Sequence, residues 1–457
     1  MNRISHSEIS DKMAAVMEAA LHRADPARML PKLLSVDEEG ITVNAGEEVL
    51  RFPFTEYRRI MVLGIGKASA QMAAVVEEIL GDRIQDGAVV TKYGHGEELS
   101  RLELFEAGHP IPDEEGVKAS REVERMAQEA DEQTLCITLI SGGGSALLVN
   151  PFHDERTEVS LQDIQQTTKD LLVCGALIQE INCIRKHISH LKGGRLAKLL
   201  APATSVNLIL SDVVGDDLGS IASGLTVPDK TSFRDAQSIL ERYGIDEKVP
   251  RTVREVLRRG VEGSVPETPK PGDPLFERVH NILAGSNLQA LEAAKAAAEE
   301  QGYSTVTLSS QITGEAREVA KVHAAIARDI AGRHFPLAPP ACVISGGETT
   351  VTIRGGGRGG RNQEQALSFL REMERNPEAY AGVTFVALAT DGDDGQTGVA
   401  GGVATARLLE EAAEKELPPE EYLSRNDSYS FFAALGSELR TEKTRTNVCD
   451  VQLTFVE

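Results

Sequence analysis

The chain of 457 residues is longer than one hydrophobic core usually serves, so two domains are expected. Hydrophobic residues make up 41% and charged residues 26%, an ordinary soluble globular balance; with aromatics at 4% and no Trp, the cores must be aliphatic. The net charge of −22, from 70 acidic against 48 basic residues, argues against nucleic acid or an anionic membrane as partner and reads plainly as solubility.

Residues 1–10 are polar and hold no apolar h-region, so no signal peptide is expected. No apolar run reaches the ~18 residues of a membrane span. A helical pattern covers 11–33. Residues 60–63 form a short apolar run ending at Gly64-Ile65-Gly66-Lys67, and 68–80 then read as a helix: strand, turn, helix. A helix N-terminus behind a glycine turn suits an anion, and Lys67 stands at the anion position. The turn is not a Walker A loop, because Ala68 follows Gly66-Lys67 and Val62 stands where the first glycine belongs. It is a poor dinucleotide fingerprint too, since Ser69 replaces the third glycine.

Strands are expected at 88–91 and 102–107 and a helix at 114–130. Residues 135–140 are a continuous apolar run, typical of a parallel strand buried on both faces. That run ends at Ser141-Gly142-Gly143-Gly144-Ser145-Ala146, whose N–H groups suit an anion nest. A serine nucleophile is the sharper alternative, but the G-x-S-x-G elbow is absent. Helical patterns cover 160–174 and 176–200. The second carries Arg185-Lys186-His187-Ile188-Ser189-His190-Leu191-Lys192-Gly193-Gly194-Arg195, the densest basic stretch of the chain. It reads either as a solvated face paired with acids or as a positive rim that draws in an anionic substrate. Residues 205–210 are another buried strand, before Ser211-Asp212. This rhythm predicts a three-layer, Rossmann-like α/β domain with a parallel sheet, its ligand at the carboxyl ends of the strands.

Pro266, Pro269, Pro271 and Pro274 mark 261–274 as a linker or long loop. It divides a first domain, 1–260, from a second α/β domain, 275–457, with a mixed sheet. There the expected elements are a strand at 281–284, a helix at 288–301, a strand at 305–308 and a helix at 314–332. Residues 342–344 and 349–353 flank Ser345-Gly346-Gly347-Glu348 and suggest a hairpin. The loop 354–361 sets Arg354, Arg358 and Arg361 among glycines that have nothing to pack against locally; Arg361 is the best candidate for a bidentate phosphate contact. A strand at 383–389 ends at Thr390-Asp391-Gly392-Asp393-Asp394-Gly395, which fails the calcium-loop pattern at Gly395. Asp391 can hold magnesium or accept a proton from a hydroxyl; Asp212 and Glu348 are weaker carboxylates of the same kind. A strand at 448–455 ends the chain. The five cysteines form no C-x-x-C pair and are odd in number, which fits reduced thiols in a cytoplasmic protein.

Taken as an ordered set, these turns resemble the glycerate 2-kinase family, the two-domain type with a C-terminal MOFRL domain. The resemblance rests on Gly64-Ile65-Gly66-Lys67-Ala68, Gly108-His109-Pro110-Ile111-Pro112-Asp113, Ile140-Ser141-Gly142-Gly143-Gly144-Ser145-Ala146, Ile184-Arg185-Lys186-His187, Leu210-Ser211-Asp212, Ile344-Ser345-Gly346-Gly347-Glu348-Thr349, Gly359-Gly360-Arg361-Asn362 and Thr390-Asp391-Gly392. It implies a MOFRL region at about 341–450 and ATP- and Mg²⁺-dependent phosphorylation of D-glycerate to 2-phosphoglycerate in an inter-domain cleft. By the same resemblance Lys67, Arg361 and Asp391 are catalytic, with domain closure bringing Lys67 and Arg361 to one phosphoryl group. Gly64, Gly66, Ser141, Gly142, Gly143, Gly144, Ser145, Arg185, Lys186, Lys192, Glu348 and Asn362 are the substrate or phosphate contacts. Asp391 and Asp212 are the metal candidates. Partners are small molecules only, glycerate and ATP, for a monomer or homodimer. The alternative is an NAD(P)H-dependent hydroxypyruvate reductase, a name also given to members of this family, with Gly64–Ser69 at a pyrophosphate and Lys92 near a 2′-phosphate. That reading leaves the arginine loop and the aspartate turn without a role. A sugar-acid or nucleotide-binding regulatory module is the non-enzymatic alternative.

Overall fold

The computed structural model describes residues 4–46, 48–442 and 444–457; residues 1–3 of the polar N-terminal segment lie outside the described residues. The chain forms two compact units, Leu30–Ala284 and the chain up to Met29 together with Gly285–Glu457. This differs from the expected division at 261–274 in two ways. The amphipathic helix α1 (Asp11–Ala24), capped by Ser10, buries Met13, Val16, Met17 and Leu21 and packs on helix Asn287–Glu300 of the C-terminal half. The proline-rich stretch is no free linker either. Val265 and Thr268 are buried, Thr268 Oγ1 donates to Asp229 Oδ2 at 3.0 Å, and Asp229 N donates to Pro269 O at 2.8 Å. Proline fixes an extended path that needs no strand ladder, so the segment packs as irregular chain inside the first unit.

In Leu30–Ala284 the strands are β1 (Arg59–Ile65), β2 (Asp86–Lys92), β3 (Glu103–Ala107), β4 (Thr134–Ile140), β5 (Thr204–Leu210) and β6 (Val279–Gly285). They lie in the order 3-2-1-4-5-6, and the pairs from β3 through β5 are all parallel. Every residue of β4 and β5 is buried, as expected of strands covered on both faces. Met61, Leu63 and Ile65 of β1 share one core with Ala119 and Val123 of α3 (Glu114–Gln128) and Leu196 and Leu200 of α5 (Arg195–Leu200). Helix α2 (Ser69–Leu80) covers the other face of β1. A second core, with Ile164, Ile181, Ile184, Phe233 and Val256, joins α4 (Ile178–His187) to the helices around it. A small antiparallel sheet, Leu34–Val36, Gly40–Ala45 and Glu48–Pro53, precedes β1.

The second unit is built on a mixed sheet of β7 (Ser304–Thr307), β8 (Ala341–Gly347), β9 (Val383–Ala389), β10 (Gly401–Thr405) and β11 (Asp450–Val456), in the order 7-8-11-9-10. β7 and β8 are parallel; β11 runs antiparallel between β8 and β9. The expected hairpin at 342–353 does not form: β8 pairs with β7 and β11, and beyond Gly347 the chain makes only an isolated bridge, Glu315 to Thr350. Helix α6 (Asn287–Glu300) packs on β8 and β11, and α7 (Ala316–Arg333) lies against α8 (Arg361–Glu374). Phe369 of α8 stacks on Phe385 of β9 at 4.5 Å. No disulfide joins the five cysteines. Among the described residues no helix is long and apolar enough to cross a membrane.

Candidate active site

In a sheet ordered 3-2-1-4-5-6 the crossovers reverse direction between β1 and β4, which leaves a crevice at their carboxyl ends. The Gly64–Lys67 and Ser141–Gly144 turns meet there. Lys67 N donates to Gly142 O at 2.8 Å, Ser141 N to Ile65 O at 2.9 Å, and Ala68 N to Ser141 Oγ at 3.0 Å. Three expected phosphate contacts are engaged within the fold. Gly64 is a sheet residue packed on Val89. Gly66, at φ +127°, leaves no room for a side chain, which would lie 2.3 Å from Ser141 Oγ. Ser141 spends its hydroxyl on the start of α2. Gly66 N is spent on Val90 O, and Lys67 N and Ala68 N on the second turn, which is left to face a ligand.

The second turn is ringed by side chains. A Cβ on Gly142 would fall 1.7 Å from the Asp212 carboxylate; one on Gly143, at φ +84°, would fall 3.0 Å from the His109 ring and 3.1 Å from Lys67 Cγ. No side chain caps the short helix Gly144–Leu147 that follows. Burial, then Lys67, Lys92 and His95, push the His109 imidazolium down to about 4. Burial and then Lys92 also lower His95, against a hydrogen bond to the Lys67 carbonyl. Four basic groups thus crowd one turn of a chain whose net charge is −22. With the histidine at 109 neutral at pH 7, Lys67 and Lys92 are the cations beside it that an arriving anion would meet.

Beside this turn opens a small cleft, with Ser145, Arg185, Ser189 and Lys192 in its wall. Lys192 is 4% exposed, and its Nζ donates to Leu148 O. Burial, then Arg185, bring its ammonium down to about 7. Burial also lowers Arg185, whose Nη1 reaches Asn182 Oδ1 at 3.4 Å. Among the described residues no carboxylate forms an ion pair with either cation. Ser145 Oγ lies 2.8 Å from Ser223 Oγ, and Ser223 donates to Asn182 Oδ1 at 3.2 Å. The single Ser223 proton goes to Asn182, so Ser145 donates to Ser223 and keeps its lone pairs on the cleft wall. Ala222 and Ser223 sit at φ +49° and +58°, a left-handed backbone that non-glycine residues adopt at a cost and that clusters at working sites.

The basic stretch 185–195 is neither a solvated face nor an open rim. Lys186 turns away from the cleft and pairs with the buried Asp229 at 3.2 Å. His187 is fully buried and bonded to Cys183 O, and Arg195 is buried with Nη2 on Pro266 O. Of the three substrate candidates in the stretch, Arg185 and Lys192 line the cleft and Lys186 does not.

In the second unit β11 starts where β8 and β9 end, so Asp450 stands opposite both Gly347 and Ala389. Glu348 follows directly, and Asp391 lies two residues beyond Ala389, exposed, its Oδ1 accepting from Asp393 N at 3.1 Å. Arg361, the first residue of α8, donates from Nε and Nη2 to Asp450 at 2.5 and 2.9 Å, and its Nη1 lies 2.9 Å from Glu348 Oε1. The fork expected to grip phosphate is therefore filled by a carboxylate. Burial lifts the fully buried Asp450 carboxyl, to about 7, against the pull of Arg361. Burial alone would loosen the Arg361 proton, but the pair with Asp450 holds it more tightly. Asn362 is buried at the helix start, where its N and that of Gln363 donate to Asp394 at 3.1 and 2.9 Å. It is a structural residue here rather than a surface contact. The loop at 354–360 is not idle: Gly355, Gly357 and Gly359 lie against Arg425, Asp427 and Ser428, and Arg358 stacks on Tyr429 at 4.6 Å.

Among the described residues no three His, Cys, Asp or Glu gather into a group that could hold a metal ion; Asp212 and Asp391 are single carboxylates on separate units. Sequence reasoning missed His95, Asn182, Ser223 and Asp450, and it quoted His109 and Asp394 without assigning either a role. The Gly108-His109-Pro110 turn after β3 was the available signal for His109. Nothing local marks Asp450, because an antiparallel strand from the chain end brings it to the site.

The model of a domain of unknown function, DUF4147, matches residues 12–258, and that of the MOFRL family matches 341–450. A glycerate 2-kinase of Pyrococcus horikoshii is 42% identical over 438 residues, 96% of this chain and 95% of the relative. A protein of Agrobacterium vitis, provisionally named hydroxypyruvate reductase, is 41% identical over 400 residues, 87% of each chain. The crystal structure of glycerate kinase from Thermotoga maritima superposes with a TM-score of 0.83 at 36% identity, over 97% of this chain and 98% of that one.

Proposed function

This chain belongs to the glycerate 2-kinase family, and from that premise we propose that it transfers the γ-phosphoryl group of ATP to the C2 hydroxyl of D-glycerate. The observation that carries the reading is the cleft whose two cations, the half-buried Arg185 and the buried Lys192, lack a carboxylate and whose wall continues through Ser145 into the turn beside Lys67. A small hydroxy acid matches that sequence of groups. Its carboxylate pairs with Arg185 and Lys192, which restores the full charge of Lys192. Its hydroxyl donates to Ser145 Oγ; as the C2 oxygen bonds phosphorus and the bond to ADP breaks, the hydroxyl proton passes to an oxygen of the transferred phosphoryl group. The phosphoryl group lies at the Gly142–Gly144 turn, with Lys67 and Lys92 offsetting its charge.

Phosphoryl transfer asks for positioning and charge neutralisation more than for covalent chemistry. Arg361 adds a guanidinium to the same turnover. The nucleotide enters as its magnesium complex. Asp391 is the single carboxylate that would meet a magnesium ion brought in by the nucleotide, and the ion would supply charge neutralisation on the phosphates. Asp212, against Gly142, orients the turn. We place the reaction in the cytoplasm, where free thiols and small metabolites belong.

A coupled assay tests the assignment. ADP should appear only when ATP, Mg²⁺ and glycerate are all present, and NADPH should not be consumed with hydroxypyruvate. Oxidation of NADPH by hydroxypyruvate, without glycerate-dependent ADP release, would replace the kinase by a reductase.

A further inference from the structure

We infer that Asp450 is a positioning residue: it grips Arg361 by Nε and Nη2, so that the Nη1 edge now bonded to Glu348 is the edge left to a phosphate oxygen. The inference rests on the reading that Arg361 acts in turnover. A guanidinium offers five N–H donors in a planar fork, and a carboxylate filling the Nε–Nη2 side leaves the Nη1 side to other anions.

The two acidic partners differ in permanence. Asp450 is fully buried and begins the central strand of its sheet, paired on both sides. Its carbonyl accepts from the buried Asn287 Nδ2 at 2.8 Å. The preceding Cys449, at φ +64°, has its carbonyl held by Thr390 Oγ1 at 2.6 Å. The helix that carries Arg361 is fixed in turn by Asp394 at its first amides. Glu348 is different, with 43% of its side chain exposed. Breaking a buried pair strands a charge, whereas an exposed carboxylate exchanges its partner for water at little cost. An arriving phosphate oxygen therefore displaces Glu348 and leaves Asp450 in place.

Steady-state kinetics of the full chain decide this with four variants: Arg361→Ala, Asp450→Asn, the double variant and Glu348→Gln. Arg361→Ala should lower kcat by about 10² or more. Asp450→Asn should lower kcat by about tenfold or more, with the glycerate KM changed less than about threefold. The double variant should be no slower than Arg361→Ala, within about threefold, because residues acting through one group are not additive. Glu348→Gln, which removes the competing charge, should lower the MgATP KM several-fold. An Asp450→Asn loss that repeats in full on the Arg361→Ala background overturns the inference, as does a Glu348→Gln nucleotide KM that is unchanged or raised. Should Asp450→Asn not be recovered folded, the Glu348→Gln arm decides alone. A fully active Arg361→Ala enzyme would instead sink the underlying role of Arg361.

Discussion

An ammonium group withdrawn from water without a carboxylate partner costs a protein stability, and Lys192 is such a group. Its proton leaves at about 7 in the folded chain, against an ordinary value of 10.5. Between those values the unfolded chain binds more protons, so stability rises with pH across the window and the whole penalty is present below 7. Lys192→Met should therefore raise the melting temperature by several degrees at pH 6 and by little at pH 10. The same substitution should raise the glycerate KM about 10- to 100-fold, the loss expected for one charge-assisted hydrogen bond. Thermal unfolding at the two pH values and a glycerate titration check both halves; a stability gain without loss of affinity would show that the cation is not a substrate contact. Lys67 and Lys192 were legible in the sequence because each sits in a charged glycine turn. Lys186 was not separable from Arg185, because one residue turns a helix by about 100° and neighbouring packing alone decides which of the two faces the cleft.

The elements that build the crevice are the β1 and β4 turns, and each supplies the other with hydrogen bonds. Ser141→Ala removes the acceptor for Ala68 N and should cost about 1 kcal/mol, as loss of a helix cap does. Gly66→Ala should cost about 3 kcal/mol or more, because it combines a left-handed backbone with a Cβ set against Ser141. Denaturant unfolding of the two variants checks the ranking; equal losses would contradict the interlock. The strands behind these turns were readable as apolar runs that stop at glycine. That Lys67 N and Ala68 N bond to the second turn rather than to a ligand was not, because a glycine needed for close approach looks the same whether a phosphate or another backbone approaches. The hairpin expected after β8 failed for a related reason. Its true partners, β7 and β11, are distant in sequence, and a local pattern cannot choose between a near strand and a far one.

At the scale of the whole molecule, strand order is what makes a site from scattered turns. The 3-2-1-4-5-6 sheet brings Lys67, Gly142–Gly144 and, through Ser145, Arg185 and Lys192 to one crevice. The 7-8-11-9-10 sheet inserts the chain's last strand so that Asp450 meets Glu348 and Arg361. The αβ rhythm foretold the sheets, but the path of α1 and the packed proline segment at 261–274 are tertiary outcomes that periodicity does not encode. Phosphorylation of the C2 hydroxyl is the claim on which the assigned roles converge, and NMR of the product tests it most directly. After incubation with MgATP and D-glycerate, the phosphorus should couple to the C2 methine proton, which identifies 2-phosphoglycerate. Coupling to the C3 methylene protons, or no phosphorylated glycerate at all, would contradict the account.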